Sequence, residues 1–228
     1  MGAGNLNTIE YSGSGSLFGF GQAFLPGDPW PRFEQRAYRV QANYQASAMR
    51  LDSTRSQGEH PPHGGAAQPV AADQRTVSVV NGQNAWTENG DMAAPSPGAS
   101  GDRLRALWAT PHGVIKAALA NNGKFENGTI TFTAEGREFK ATVNAANLIE
   151  KVSFLSTNEV IGDYPIEVTY TDYSDFNGVK FPTHIVQTDD GHPTLDVKIN
   201  EVKPNATVSV NVPANVQGAT PPPPMSAK

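Results

Sequence analysis

The feature that most constrains this chain is a hairpin signal near its C-terminal end, centred on Asn177-Gly178. This dipeptide is the strongest short-range predictor of a two-residue type I′ turn, because both residues tolerate a positive φ. Before it, apolar residues alternate with polar ones, which is the period of a half-buried strand. A turn of this length fixes the register, so the sequence predicts four cross-strand pairs: Phe176–Val179, Asp175–Lys180, Tyr170–Ile185 and Thr171–His184.

Pro182 lies in the second strand of this hairpin and has no N–H to donate to a neighbouring strand. We therefore expect that strand to lie at an edge of the sheet, or to carry a bulge at the proline. An edge strand exposes unpaired backbone groups. One function that the sequence allows is thus a structural or assembly module that pairs with a partner chain through this strand.

The same alternation recurs along most of the chain and predicts a protein built mainly from antiparallel strands. The N-terminal segment, residues 8–21, combines apolar residues with many glycines, which indicates a bent strand with bulges. Two strands are expected within 33–57 and a short hairpin at 76–87. The remaining strands are predicted at 129–134, 138–144, 149–155, 166–173, 179–187, 194–202 and 207–212.

Only residues 102–121 show a convincing helical period, and Pro111 interrupts it, which predicts two short helices or a kink. Flexible loops are expected at about 58–72 and 89–101, and a Pro-rich tail or linker at 216–228. The predicted fold class is α+β, mostly β. Residues 1–215 would form a single large curved antiparallel sheet, a half-barrel, with the kinked helical insertion packed on its concave face and a pocket between the two.

The composition excludes several function classes. A net charge of -5 with scattered Lys and Arg argues against nucleic-acid binding, which needs a clustered basic surface. The absence of cysteine excludes disulfides, thiolate zinc sites and a cysteine nucleophile. No run of apolar residues is long enough for a membrane span.

Three motifs carry a resemblance to known proteins: Tyr11–Gly15, Pro29–Phe33 and Thr110–Gly113. They resemble the N-terminal, non-catalytic region of secreted bacterial metallo-β-lactamase-fold hydrolases. The segments at 148–152 and 170–182 look like the periplasmic lipoprotein carriers with a LolA/LolB-like half-barrel. The resemblance covers roughly residues 7–215 and implies a bacterial protein that is periplasmic or secreted, with its leader absent from this sequence.

The hydrolase family binds its metal through a His-x-His-x-Asp-His motif, and this sequence does not contain it. The resemblance therefore implies an accessory, non-catalytic domain that partners a C-terminal hydrolase domain or a partner chain. The Pro-rich tail is similar to the linker that would lead into such a domain.

A metal site is the first catalytic alternative. His60 and His63 lie close together on one loop, and Glu59 or a distant histidine could add a third ligand for zinc. The spacing matches no known zinc pattern, so a polar loop without metal is the preferred interpretation.

Two metal-free catalytic sites can also be assembled from the sequence. A Ser14, His184 and Asp172 triad is possible, but Asp172 would point to the opposite face from His184. Carboxylates at Asp172, Asp175, Asp189 and Asp190 could act in pairs. All four lie at or beside turns, where aspartate commonly caps the backbone.

The preferred function is a scaffold or a binding module for an apolar, lipid-like ligand, held between the concave face and the helices. His112 lies at the helix break, where it could line the site or satisfy a free carbonyl. The aromatic residues could line the cavity or fill the core. The candidate ligand-binding residues are Trp30, Phe33, Trp86, Trp108, His112, Phe154 and Tyr170, with Phe132 as a further member of the aromatic set.

Overall fold

The computed structural model of the protein describes residues 1–59, 69–158 and 160–220. Short 3₁₀ turns lie at Ala3–Asn5 and Pro97–Ala99. The strands and helices of the described residues follow in this order: β1 (Thr8–Phe18), β2 (Arg32–Asn43), β3 (Ala48–Gln57), β4 (Gln74–Asn81), β5 (Asn84–Asn89), β6 (Met92–Pro95), α1 (Ser100–Ala109), α2 (Pro111–Ala120), β7 (Lys124–Glu126), β8 (Thr129–Ala134), β9 (Arg137–Val143), β10 (Ile149–Asn158), β11 (Gly162–Phe176), β12 (Val179–Asp189) and β13 (His192–Pro204).

The described strands form one open antiparallel sheet of 13 strands, in the order β6-β5-β4-β3-β2-β1-β13-β12-β11-β10-β9-β8-β7. The chain thus makes two meanders, and the pairing of β1 with β13 joins them. Helix α1 contacts β3, β4 and β5 in one meander and β10 in the other, and α2 contacts β8. Because strands of both meanders reach the same helix, the sheet curves around the helix pair, as the predicted fold class requires. No helix in the described part of the chain is long and apolar enough to span a membrane.

The hairpin at Asn177-Gly178 has the predicted geometry. Asn177 has a φ of 52° and Gly178 a φ of 82°, as a type I′ turn demands. All four predicted pairs are present in the β11–β12 ladder. The inward pair, Tyr170 and Ile185, is buried, so the hairpin contributes its apolar face to the core.

Strand β1 is bent, as its glycines predict. Its register with β13 shifts between Ser12 and Gly13, and its register with β2 shifts between Gly13 and Gly15. A Cβ atom on Gly13 would lie 2.0 Å from the carbonyl oxygen of Lys198, and one on Gly15 would lie 2.0 Å from that of Asp196. These glycines therefore allow β1 to approach β13 closely at the junction of the two meanders.

The helical insertion is broken at Thr110-Pro111, which confirms the predicted interruption. Thr110 is the N-cap of α2: its Oγ1 accepts a hydrogen bond from the Gly113 N–H at 3.2 Å and donates to the Leu107 carbonyl at 2.7 Å. Pro111 takes the first helical position, where a missing N–H costs nothing. At Gly113 a Cβ atom would lie 2.1 Å from the Leu107 oxygen. The Thr-Pro-His-Gly motif therefore encodes a tight turn between two helices.

The expectation of an edge strand at Pro182 is wrong. Strand β12 lies inside the sheet, between β11 and β13, and the edges of the described sheet are β6 and β7. The ladder between β12 and β13 begins at His184, so Pro182 lies beyond the stretch that pairs on that side. There the Lys180 N–H donates to the Met1 carbonyl, which covers the start of β12.

Two further predictions of secondary structure need correction. Residues 207–212 do not form a strand, because the side-chain amides of Asn43 and Asn81 donate to the carbonyls of Val208 and Val210 in place of a backbone ladder. The expected loop at 89–101 contains β6 and the start of α1. Strand β6 pairs with β5 and so extends the sheet at that edge.

Candidate functional site

A cavity of about 490 Å³ lies between the concave face of the sheet and the helix pair. Helix α1 and the helix break supply one side through Asp102, Ala106, Ala109 and Thr110, and the sheet supplies most of the rest. Most of the wall is aliphatic or aromatic. Phe20 contributes from the turn after β1, and the sheet residues of the wall are Tyr11, Leu17, Phe18, Gln35, Tyr38, Val40, Met49, Leu51, Ser53, Phe154, Ser156, Thr157, Tyr164, Ile166, Val168, Tyr170, Ile185, Gln187, Asp189, Thr194 and Leu195.

Strand alternation brings these side chains together. Ile166, Val168 and Tyr170 share one face of β11, and in the ladder Tyr170 lies opposite Ile185 on β12. Ile185 is paired in turn with Val197 of β13, next to the glycines of β1.

Two tyrosines hold the helix break over the sheet. Tyr170 donates its hydroxyl hydrogen bond to the Ala109 carbonyl at 2.7 Å, and Tyr44 lies 3.1 Å from Thr110 Oγ1. Because Thr110 gives its own proton to Leu107, the Tyr44 hydroxyl is the donor in this pair. Burial raises the pKa of Tyr170 well above its usual value, so it stays a protonated donor.

We expect Tyr170→Phe to lower the free energy of unfolding by about 1–2 kcal/mol, because the Ala109 carbonyl would lose its buried donor. Urea denaturation followed by tryptophan fluorescence measures this loss. Tyr164→Phe is the matched control, since the Tyr164 hydroxyl forms no hydrogen bond within the described residues. Equal losses in the two variants would contradict the assignment of Tyr170 as a clamp on the helix break.

Two polar residues that line the cavity, Gln35 and Asp189, are buried. Gln35 is 1% exposed; its Nε2 donates to Ser53 Oγ at 2.8 Å and to the Ala37 carbonyl, whereas its Oε1 has no partner. Asp189 is 8% exposed; its Oδ1 accepts from Gln187 Nε2 and Thr194 Oγ1, each at 2.8 Å. Each residue thus keeps an acceptor oxygen that the surrounding protein does not use.

Aromatic rings mark the more exposed end of the cavity. Phe20 contacts Tyr164 with ring centroids 5.2 Å apart, and both residues line the wall. The segments that carry them also carry strongly exposed apolar side chains, at 72% for Phe24 and 90% for Val160. The chain segments that follow Phe20 and precede Tyr164 therefore present apolar side chains to the outside of the protein.

The structure places two of the seven candidate ligand-binding residues, Phe154 and Tyr170, in the cavity wall. Trp30 lies outside the wall, behind Phe20 at 4.9 Å, and stacks on His192 at 4.6 Å. Phe33 is fully buried beneath the Arg55 guanidinium, 4.6 Å from the ring, and does not line the cavity.

The other aromatic candidates fill cores. Trp86 packs with Val79 and Val216 in a small cluster separate from the main core. Trp108 is only partly buried, and its Nε1 points to Glu135. Phe132 stacks on Phe139 at 4.9 Å within the main core. These residues do not line this cavity, so core packing, the second of the two interpretations of the aromatic set, describes Trp86 and Phe132. Alternation reveals the two faces of a strand but not which of them borders a cavity.

His112 satisfies a backbone carbonyl and does not line the cavity. It is fully buried, and its Nε2 lies 3.2 Å from the Met1 carbonyl oxygen, to which it donates. Its ring is parallel to Phe181 at 6.0 Å. The histidine bonds to a backbone carbonyl, as the second sequence interpretation expects, but this carbonyl belongs to Met1 and not to the helix break, and it also accepts from the Lys180 N–H.

The catalytic alternatives find no assembled site in the described residues. His184 bonds to Asp196 at 2.8 Å and not to Asp172, and Ser14 forms no hydrogen bond with it. Asp175 accepts from the Gly178 N–H as an ordinary turn residue. Within 1–59, 69–158 and 160–220, no three His, Cys, Asp or Glu side chains cluster as a metal site requires. His60 and His63 lie outside the described residues.

Sequence reasoning missed the polar part of the wall. Asp189 was assigned to turn capping because it precedes Asp190-Gly191, yet it faces the cavity. The alternation of side chains along β12 could have indicated this position. The hairpin register predicts that Ile185 faces inward, and every second residue after it, Gln187 and then Asp189, lies on the same face of the strand. Gln35 carried no such signal, since bulges displace the register of β2 at this residue.

Comparisons with known proteins give little beyond the fold. No protein-family model matches the sequence, and no curated protein matches it. Among solved structures, a LolA superfamily protein from Nitrosomonas europaea is similar, with 11% sequence identity, a TM-score of 0.45, and coverage of 90% of this chain and 89% of that chain. At this identity and overlap, the likeness says nothing about ligand or activity, and none of the comparisons concerns a metallo-β-lactamase-fold partner.

Proposed function

We propose that the protein binds an elongated apolar or amphipathic small molecule in the cavity between the sheet and the helix pair. The main observation that supports this proposal is the cavity itself, whose volume of about 490 Å³ falls within the usual range of about 300–1,000 Å³ for ligand sites. Its wall is mainly aliphatic and aromatic, with nine polar residues among the 26 that line it, and such an apolar majority is usual for a small-molecule site.

The surroundings of the cavity support an amphipathic ligand. The deep end is closed by buried residues such as Tyr11, Val40 and Tyr170, and the Phe20–Tyr164 end is partly exposed. The apolar side chains Phe24 and Val160 lie on the segments beside that end. A molecule that enters tail first at this end would meet apolar side chains there, so less of its apolar surface would be exposed to water during entry.

We expect N-phenylnaphthylamine, a dye that fluoresces in apolar surroundings, to bind the protein, and Ile166→Trp to weaken this binding by about tenfold or more, because an indole would occupy the cavity that Ile166 lines. Fluorescence titration measures both affinities, and thermal unfolding verifies that the variant is folded. Thr169→Trp is the matched control, since Thr169 lies on the opposite face of the same strand and does not line the cavity.

Two outcomes would refute the proposal. The first is that the dye does not bind the wild-type protein. The second is that a folded Ile166→Trp variant binds as tightly as the Thr169→Trp control, which would place the dye elsewhere. A periplasmic or secreted location and a role beside a hydrolase domain remain further predictions of the resemblance, separate from this test.

A further inference from the structure

The amide and carboxylate groups of the cavity wall point to the chemistry of the ligand's head. The charged residues that line the cavity are Asp102 and Asp189, and the described wall contains no Lys or Arg. Asp102 lies at the exposed side and is paired with Arg105 of the same helix. Asp189 has no ion-pair partner within the described residues, although it is almost completely buried.

Only one of the two carboxylate oxygens of Asp189 accepts hydrogen bonds from the protein. Both of its hydrogen bonds, from Gln187 and Thr194, end on Oδ1. His192 lies opposite Asp189 in the β12–β13 ladder, but its ring stacks on Trp30. The carboxylate is therefore held in a fixed position by neutral donors, while Oδ2 lacks the charged partner that a buried carboxylate normally has.

Gln35, at a second place in the wall, also has an acceptor oxygen to which no protein group donates. The atoms around its Nε2 include the carbonyl oxygens of Ala37 and Thr54, so the orientation of the amide is fixed, with Oε1 as the group without a partner. A buried acceptor without a donor costs about 1–3 kcal/mol, and native proteins rarely keep one without a reason. Oε1 has almost no accessible surface, so a ligand's donor would reach it only after the amide shifts toward the cavity, and the new hydrogen bond would then remove that cost.

We infer that the cavity selects an amphiphile whose head carries N–H donors and a positive charge, a primary alkylammonium in its simplest form, with Asp189 as its charge partner and Gln35 as a second acceptor. The inference rests on the proposed function, because it concerns a ligand of the same cavity. An anionic head such as a carboxylate would meet two acceptor oxygens and a like charge, and would be rejected.

The test is displacement of N-phenylnaphthylamine by three compounds with the same chain: tetradecylamine, tetradecanol and tetradecanoate, each below its micelle concentration. At neutral pH we expect the amine to displace the dye at a concentration about tenfold lower than the alcohol requires, because a hydrogen bond to a charged group is worth more than a neutral one. The carboxylate should be the weakest of the three competitors.

Asp189→Asn is the informative variant, since it removes the charge and preserves the shape of the side chain. We expect it to lose the preference for the amine over the alcohol, with each displacement measured relative to the dye affinity of the variant itself. Asp190→Asn is the matched control: the same charge is removed from an exposed neighbouring residue that does not line the cavity, and the preference should persist. Asparagine also tolerates the positive φ of 50° at that position.

The outcomes separate the two proposals. The inference about the head group is overturned if the dye binds but the amine, the alcohol and the carboxylate displace it equally well, or if Asp189→Asn retains the preference for the amine. In both cases the proposal of an apolar binding cavity is retained. If the dye does not bind at all, the proposed function fails, and the head-group inference fails with it.

Discussion

Gly15→Ala should lower the free energy of unfolding by at least about 3 kcal/mol, or prevent folding altogether. The new Cβ atom would lie 2.0 Å from the Asp196 carbonyl oxygen and 2.8 Å from the Val197 Cα atom. Both contacts are with backbone atoms, which cannot rotate away as a side chain can. Strands β1 and β13 would have to separate at this point.

The effect is large because the β1–β13 pairing joins the two meanders of the sheet. Separation of these strands would open the core on both sides of the junction and would distort the cavity wall, to which Leu17 and Leu195 contribute as a cross-strand pair. Urea denaturation, followed by far-ultraviolet circular dichroism, gives the loss directly.

Gly4→Ala is the matched control for this prediction. Gly4 is exposed, and a Cβ atom there would have no neighbour within 4 Å. Its substitution should change the free energy of unfolding by less than about 0.5 kcal/mol. If Gly15→Ala and Gly4→Ala unfold at the same urea concentration, the close approach of β1 and β13 is not a feature of the protein in solution.

The second large effect is a loss of stability in mild acid that depends on His112. Burial lowers the pKa of His112 from 6.5 to about 4, despite its hydrogen bond to the Met1 carbonyl; the nearby amino terminus and Lys116 act in the same direction as burial. In the folded protein Nε2–H is used by that carbonyl, and Nδ1 is buried without a partner. Protonation would place a positive charge on Nδ1 in the core.

The sign follows from proton linkage. Between about pH 6.5 and pH 4 the unfolded chain binds a proton at His112 and the folded chain does not, so acid favours unfolding. The free energy of unfolding should therefore be unaffected above the unfolded pKa, and should fall by about 3 kcal/mol by the time the pH has dropped to the folded pKa. Paired carboxyls such as Asp52, whose pKa is lowered by Arg75, lose their contribution only in stronger acid.

Denaturation curves of the wild type and His112→Phe across this pH range give the test. The phenylalanine keeps an aromatic ring beside Phe181 and removes the titrating group, so most of the pH dependence should disappear. Gly4→Ala, which leaves every histidine in place, is the control and should retain the wild-type dependence. An unchanged slope in His112→Phe would show that another group causes the acid lability.

The hairpin and the helix break were predictable because short-range chemistry decides both. Asn177-Gly178 permits two consecutive positive φ angles, and the register follows from that turn. Thr110, Pro111 and Gly113 interact within one helical turn, so their spacing reports the break without knowledge of the rest of the fold.

The cavity and its polar groups were much less predictable, because they depend on which strand faces border the same space. Trp86 alternates as a buried residue should, but it faces the outer side of the sheet, where residues near Val216 cover it. The strand predicted at 207–212 fails for the same reason: distant asparagine side chains, Asn43 and Asn81, take its carbonyls. Neither contact has a local signature.

The sequence by itself determined the alternating strands, the register of the β11–β12 hairpin, the two-helix insertion and the bend at the β1 glycines, since each depends on periodicity or on the backbone freedom of a few neighbouring residues. Only the tertiary structure decided which side chains share the cavity. Gln35 and Asp189 belong to strands that lie far apart in the chain, and both line one cavity because the sheet curves around the helices. Burial makes their unpaired acceptors costly, because the same groups in water would accept hydrogen bonds from the solvent.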